Sequence, residues 1–197
     1  MNFQTNLKCL CYIIFFIGFS SYAQHTERFM TLMSGLEKGS STVDTTYYSN
    51  GQIKHLAKQT EYTFQDKEYL KENGISIFYH KNGTIGRISV KDAYGYYLNE
   101  KFYDKTGELT EEWITTEIDN DARDLEEYFK RYELNPTDLG DIKRTINYYK
   151  LSKNTKERFL YKHIYIEIKG LVVKETITFF NEKGEIVKTK VIKPKRV

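Results

Sequence analysis

The sequence is short of the two residues that most often carry reactivity or stiffness, having only 2 cysteines and 2 prolines. Both cysteines, Cys9 and Cys11, lie in an N-terminal apolar stretch that reads as a leader. Its removal leaves no thiol for a disulfide, a zinc site or a cysteine nucleophile. Charge of one sign is also scarce: the formal balance is +3, of which the leader holds only Lys8. That is no electrostatic footprint for nucleic acid. No serine stands in a nucleophile-elbow context, and no glycine-rich loop joins a strand to a helix, so acyl transfer and nucleotide binding have no support. The four histidines, His25, His55, His80 and His163, include no pair at metal-ligand spacing. Neither a metal nor a cofactor is expected.

What the N-terminus does contain is one basic residue, Lys8, an apolar core from Cys9 to Phe19, and small residues at Ser21 and Ala23. These are the parts of a secretory signal peptide, and the core is shorter than the roughly 20 residues that span a bilayer. Residues 1–23 are read as the leader, with cleavage after Ala23. The mature chain is therefore expected in the periplasm or outside the cell, with no stable membrane insertion. Cys11 is not read as a lipid attachment site, because Leu10 precedes it where a small residue is wanted.

Aromatic residues make up 15% of the chain, with 17 tyrosines, which excludes a disordered tail. Many of them belong to a recurring pattern. Tyr47-Tyr48-Ser49-Asn50-Gly51-Gln52-Ile53, Tyr79-His80-Lys81-Asn82-Gly83-Thr84-Ile85, Tyr103-Asp104-Lys105-Thr106-Gly107-Glu108-Leu109 and Phe180-Asn181-Glu182-Lys183-Gly184-Glu185-Ile186 each place an aromatic four before a glycine and an aliphatic two after it. In the last three a further aromatic, Phe78, Phe102 or Phe179, comes immediately before. A type I turn followed by a left-handed residue makes a three-residue hairpin loop with a bulge, and glycine enters that conformation without steric cost. Gly51, Gly83, Gly107 and Gly184 are therefore read as structural turn glycines, with the flanking aromatic and aliphatic meeting across the hairpin.

Around these turns apolar residues alternate. Ile75, Ile77 and Tyr79 share one face, Ile88 and Val90 another, and Ile164, Ile166 and Ile168 a third. Near Asp119-Asn120-Asp121 the period changes: Leu125, Tyr128, Phe129 and Tyr132 follow at helical spacing and end near Pro136. The fold expected is mainly β, an antiparallel meander of hairpin repeats with one amphipathic helix inserted at about 121–133. Residues 24–44 are read as a linker or N-terminal segment. A single β-rich domain covers 45–197, with hairpin repeats at 45–118, the helical insertion at 119–141 and C-terminal strands at 142–193. Leu139, Ile142, Ile146 and Tyr149 also fit a helical period, so a second helix over 136–151 is the alternative to a strand there.

The stretch Asn73-Gly74-Ile75-Ser76-Ile77-Phe78-Tyr79-His80-Lys81-Asn82-Gly83-Thr84-Ile85 resembles the MORN-repeat variant of bacterial proteins often labelled antitoxin components, and Gly95 to Leu109 resembles a second copy. The resemblance runs from Tyr47 to about Trp113, with an echo near Gly184. It implies stacked β-hairpins forming an extended sheet.

Tyr47, Tyr79, Tyr97 and Tyr103 are the candidate binding surface, since tyrosine is favoured in binding patches. The function expected is that of an exported, non-enzymatic β-repeat protein, a protein-binding or structural module of the cell envelope. The protein partner would be engaged through a sheet face or by strand addition. An envelope enzyme acting on glycans is the alternative. Its carboxylates are not evident: Glu111 and Glu112 alternate to opposite faces, and Asp119 and Asp121 read as helix caps. The basic C-terminus, Lys188, Lys190, Lys193, Lys195 and Arg196, reads as a solvated tail that resists edge pairing.

Overall fold

The computed structural model describes residues 25–134, 140–170 and 172–196. The expected leader and the residues 136–139 lie outside them. Ten antiparallel strands form one open sheet whose spatial order is the order of the chain. They are β1 Glu37–Tyr47, β2 Ile53–Phe64, β3 Lys67–Tyr79, β4 Ile85–Lys91, β5 Tyr97–Tyr103, β6 Leu109–Asp119, β7 Asp141–Leu151, β8 Arg158–Lys169, β9 Val172–Phe180 and β10 Ile186–Arg196. Two short helices, α1 Glu27–Met33 and α2 Leu125–Leu134, complete the described chain.

The four repeated turns behave as their spacing requires. Gly51, Gly83, Gly107 and Gly184 have φ of 82°, 84°, 88° and 80°. In each, the first loop residue donates its N–H to the carbonyl four residues on and accepts the glycine N–H. The residues flanking the turns are direct cross-strand partners: Tyr47 with Ile53, Tyr79 with Ile85, Tyr103 with Leu109 and Phe180 with Ile186. All four hairpins join an odd strand to the next even one, so their reversals lie along one end of the sheet.

At that end each reversal is tied to the next. The Tyr48 hydroxyl donates to the Tyr79 carbonyl at 2.5 Å, and His80 Nε2 lies 3.0 Å from the Tyr103 carbonyl. Arg158 donates to Asp104, and Ser152 Oγ to Glu182 at 2.9 Å. Gly86 leaves room for the His80 ring, since a Cβ there would stand 3.0 Å from it.

The other end is covered by the helices. Seven and ten residues are too few to be helical alone, so burial must hold both. α1 opens at Thr26, whose hydroxyl accepts from Phe29 N at 3.1 Å, and turns Phe29 and Met33 inward one above the other. It is latched to β6: His25 bridges Ile118, Thr26 N donates to the Ile118 carbonyl at 3.0 Å, and Arg28 binds the Asp119 carboxylate. α2 begins later than the sequence suggests. Asp124 is its cap, accepting from Glu127 N at 2.8 Å, whereas Asn120 accepts from Ala122 N in the preceding turn.

The core lies beneath the helices. Phe29, Met33, Leu125, Tyr128 and Phe129 pack on Tyr96, Ile118 and Ile142, with Phe64, Tyr69, Leu98 and Ile168 at the margin. Phe129 stacks on Tyr69 at 3.8 Å and on Phe64 at 5.3 Å, and Phe29 meets Tyr94 and Tyr96 edge-on. Burying one such ring contributes roughly 1.5–3 kcal/mol.

Two open readings close and one expectation needs correction. Residues 25–44 are a structured N-terminal segment and no linker, because α1 and most of β1 lie there. Residues 141–151 are strand, the first of the two readings; Ile142 and Ile146, with Arg144 between them, line one face of β7. The basic C-terminus is no free tail, since it forms β10 and pairs along β9 as far as Arg196. Pro194 is accommodated there because an edge strand needs no outward N–H, and the register shifts beside it.

Candidate binding face

Direct cross-strand partners lie on one face, so the pairings define rows that run across the sheet. One row crosses all ten strands: Asp44, Ala57, Ser76, Ser89, Glu100, Trp113, Ile146, Ile164, Ile177 and Lys190. On β7 it shares its face with Ile142 of the core. A second row on this face, nearer the turns, runs His55, Phe78, Arg87, Phe102, Glu111, Tyr148, Lys162 and Phe179.

These rows satisfy one another. Glu100 is only 2% exposed, accepts from Ser89 Oγ at 2.8 Å and has Arg87 at 3.8 Å. The Arg144 guanidinium lies 5.2 Å from the Trp113 ring, and its Nε donates to Thr115 Oγ1 at 3.1 Å. Burial pulls Arg144 below the usual guanidinium range, and Glu100 counters that pull. Phe102 packs on Trp113 at 5.6 Å, and the Lys162 ammonium sits 3.7 Å from the centre of the Tyr148 ring. Burial and the neighbouring Glu111 push the Tyr148 phenol up to about 12. The face of these two rows is thus largely occupied with itself.

The opposite face differs. Leu56, Ile77 and Ile88 form a row there, and Ile75 pairs with Val90 beside it. Ile75 is 61% exposed. Tyr47, Tyr79 and Tyr103 belong to this face, alternating with Thr46, Phe78 and Phe102 of the other. Tyr47, 60% exposed, lies with Tyr79 and Tyr103 at the turn ends of β1, β3 and β5. Tyr97 stands apart at the far end of β5 from Tyr103, about 20 Å away at the usual strand rise, beneath the Lys91 ammonium at 4.5 Å. The sequence had paired the aromatics with turns. It did not reveal that Ile75, Ile77, Ile88 and Val90 extend them into one apolar surface over β2 to β5, which only the register does.

The carboxylates weighed for glycan cleavage have other partners. Glu111 accepts from the Trp113 indole on one face, and Glu112 lies 3.5 Å from Lys101 on the other. Asp119 holds Thr26 and Arg28, and Asp121 pairs with Arg131 at 2.5 Å. His25 lies 2.8 Å from Asp92, and His163 is 2.8 Å from Asn147. Among the described residues no three His, Cys, Asp or Glu side chains are placed to hold a metal ion. A groove of about 730 Å³ opens between the helices, lined by Arg28, Leu32, Phe64, Arg123 and Leu125. No described helix is long and apolar enough to cross a membrane.

No protein-family model matches the sequence, and no curated protein does. Two solved structures show a distant likeness. A Bacteroides fragilis protein of unknown function is 6% identical, with 80% of this chain and 92% of that one covered, at a TM-score of 0.26. A porin-like protein from Bacteroides uniformis is 11% identical, with 76% of this chain and 60% of that one covered, at a TM-score of 0.23.

Proposed function

We propose that this chain is an exported, non-enzymatic β-sheet module that binds a protein partner on the face that carries Ile75, Ile77, Ile88 and Val90. The observation that carries this reading is the apolar surface of Leu56, Ile75, Ile77, Ile88 and Val90, bordered at the turns by Tyr47, Tyr79 and Tyr103. Apolar side chains shared across neighbouring strands and facing water are costly unless something covers them, and such patches mark interaction sites. The tyrosines suit the rim, because each offers a rigid ring with a polar tip. Export follows from the leader in the sequence, and the envelope or the cell exterior is where the partner would be met.

The test uses the processed protein, whose first residue by N-terminal sequencing should be Gln24, as bait against an envelope extract of the cell that makes it. Wild type should retain a partner that Ile75→Asp and Tyr103→Ala lose at least tenfold, with thermal melting of both variants within a few degrees of wild type. Retention of nothing, or equal retention by all three, defeats the proposal.

A further inference from the structure

Among the described residues the sheet has two bare edges. β1 and β10 each pair on one side only. An unpaired edge is a template for another strand, and proteins usually blunt it with charge, proline or bulges. Here the two edges fit one another. Asp44 and Lys190 stand at opposite ends of the same row, so a copy placed beside β10 with its rows continued brings its Asp44 directly opposite Lys190. The same register sets Val191 against Val43, which are 61% and 67% exposed, and Thr189 against Thr45. Lys188 falls diagonal to Asp44, within reach of its carboxylate.

Direction and hydrogen bonding also agree. In a ten-stranded meander β10 runs opposite to β1, so the new pair is antiparallel like the rest. Each strand residue aims its N–H and C=O at one neighbour, so bonded and non-bonded pairs alternate along a row. With an even number of strands, the pair between copies continues that alternation without a break. A slip of one residue would turn Lys190 to the other face from Asp44, so the lysines that deter foreign edges also select this register.

We infer that copies of this chain associate head to tail, β10 of one adding to β1 of the next over 42–47 and 187–192. The contact is heterologous, so each added copy presents a further edge and assembly runs past a dimer. It uses the edges and leaves the surface around Ile75 open. It is therefore independent of the proposed partner surface.

Sedimentation velocity of the purified protein over a wide concentration series at low salt tests it. Wild type should grow in size with concentration, and added salt should weaken the growth. Asp44→Lys and Lys190→Asp should each remain monomeric, because the first sets a lysine opposite Lys190 and diagonal to Lys188, and the second sets an aspartate opposite Asp44. Mixed in equal amounts they should associate again, since each supplies the charge the other's edge lacks. Both positions are exposed, and circular dichroism confirms that each variant keeps its sheet. A wild type that stays monomeric, single variants that still assemble, or a mixture that does not recover would each overturn the inference. Ile75→Asp should assemble as wild type does, which separates failure here from failure of the face.

Discussion

The same strands pass through two regions that are stabilised in different ways. At the helix end the sheet is one layer of two, and Phe29, Met33, Ile118 and Phe129 are buried between layers as in any small domain. At the turn end no described element covers the sheet, yet Ala57, Ser76, Ser89, Glu100 and Ile146 are buried. Their cover is lateral. Ala57, Ser76 and Ser89 are small and adjacent in their row, and the longer Phe78, Arg87, Phe102 and Tyr148 of the adjoining row share their face. A sheet can therefore exclude water from its own surface, provided the rows are in register and the reversals that set the register are fixed.

The comparison is broken most directly by truncation. Phe29→Ala should cost about 3–5 kcal/mol, as expected for a large ring removed from a packed core. Ile75→Ala, on the exposed apolar surface, should stay within about 0.5 kcal/mol. Equal losses in urea denaturation would mean that both ends are cores. A smaller effect is expected at the reversals. Gly83→Ala and Gly107→Ala should each cost about 1–2 kcal/mol, the penalty of an L side chain in the left-handed region. Space is open around both glycines, so no clash adds to it, and asparagine should recover part of the loss. The smallest effect concerns Asp104, held at about 2 chiefly by the Thr106 hydroxyl, with backbone N–H groups and Arg158 assisting. A carboxyl depressed by folding contributes its stability above its unfolded value of 3.8, and loses it as pH falls toward about 2. NMR titration should place the Asp104 midpoint below that of exposed aspartates, and Asp104→Asn should lose this part of the acid dependence while other acids keep theirs.

The turn end was the more legible half of the sequence, because its geometry is local. A glycine with φ near +80°, an aromatic four before and an aliphatic two after are all set within seven residues. What depends on distant partners was not legible. α1 has only seven residues, and it exists because Ile118 and Asp119 lie more than 90 positions away to receive it. The reversal at Asp92 to Tyr96 repeats the same backbone bonds with Gly95 at φ 93°, but lacks the flanking aromatic and lies at the opposite end. Its register is held by Asp92, which accepts from the N–H groups of Tyr94 and Tyr96 and lies against His25. The start of α2 was misplaced because Asp119, Asn120, Asp121 and Asp124 are all eligible caps, and tertiary contacts choose among them. Tyr47, Tyr79 and Tyr103 are legible because they flank turns, whereas Tyr97 flanks none of the four. The isoleucine and valine rows that give them a surface emerge only when ten strands are aligned.

Strand order that follows chain order has a kinetic consequence. Each hairpin can zip from its own turn, with short loops to close and little entropy lost before contacts form, which favours rapid assembly of sheet segments. The latch of Thr26 and Arg28 on Asp119 is of another kind, since it must close loops of 93 and 91 residues. Docking of α1 should therefore come late, sealing a sheet that is already formed.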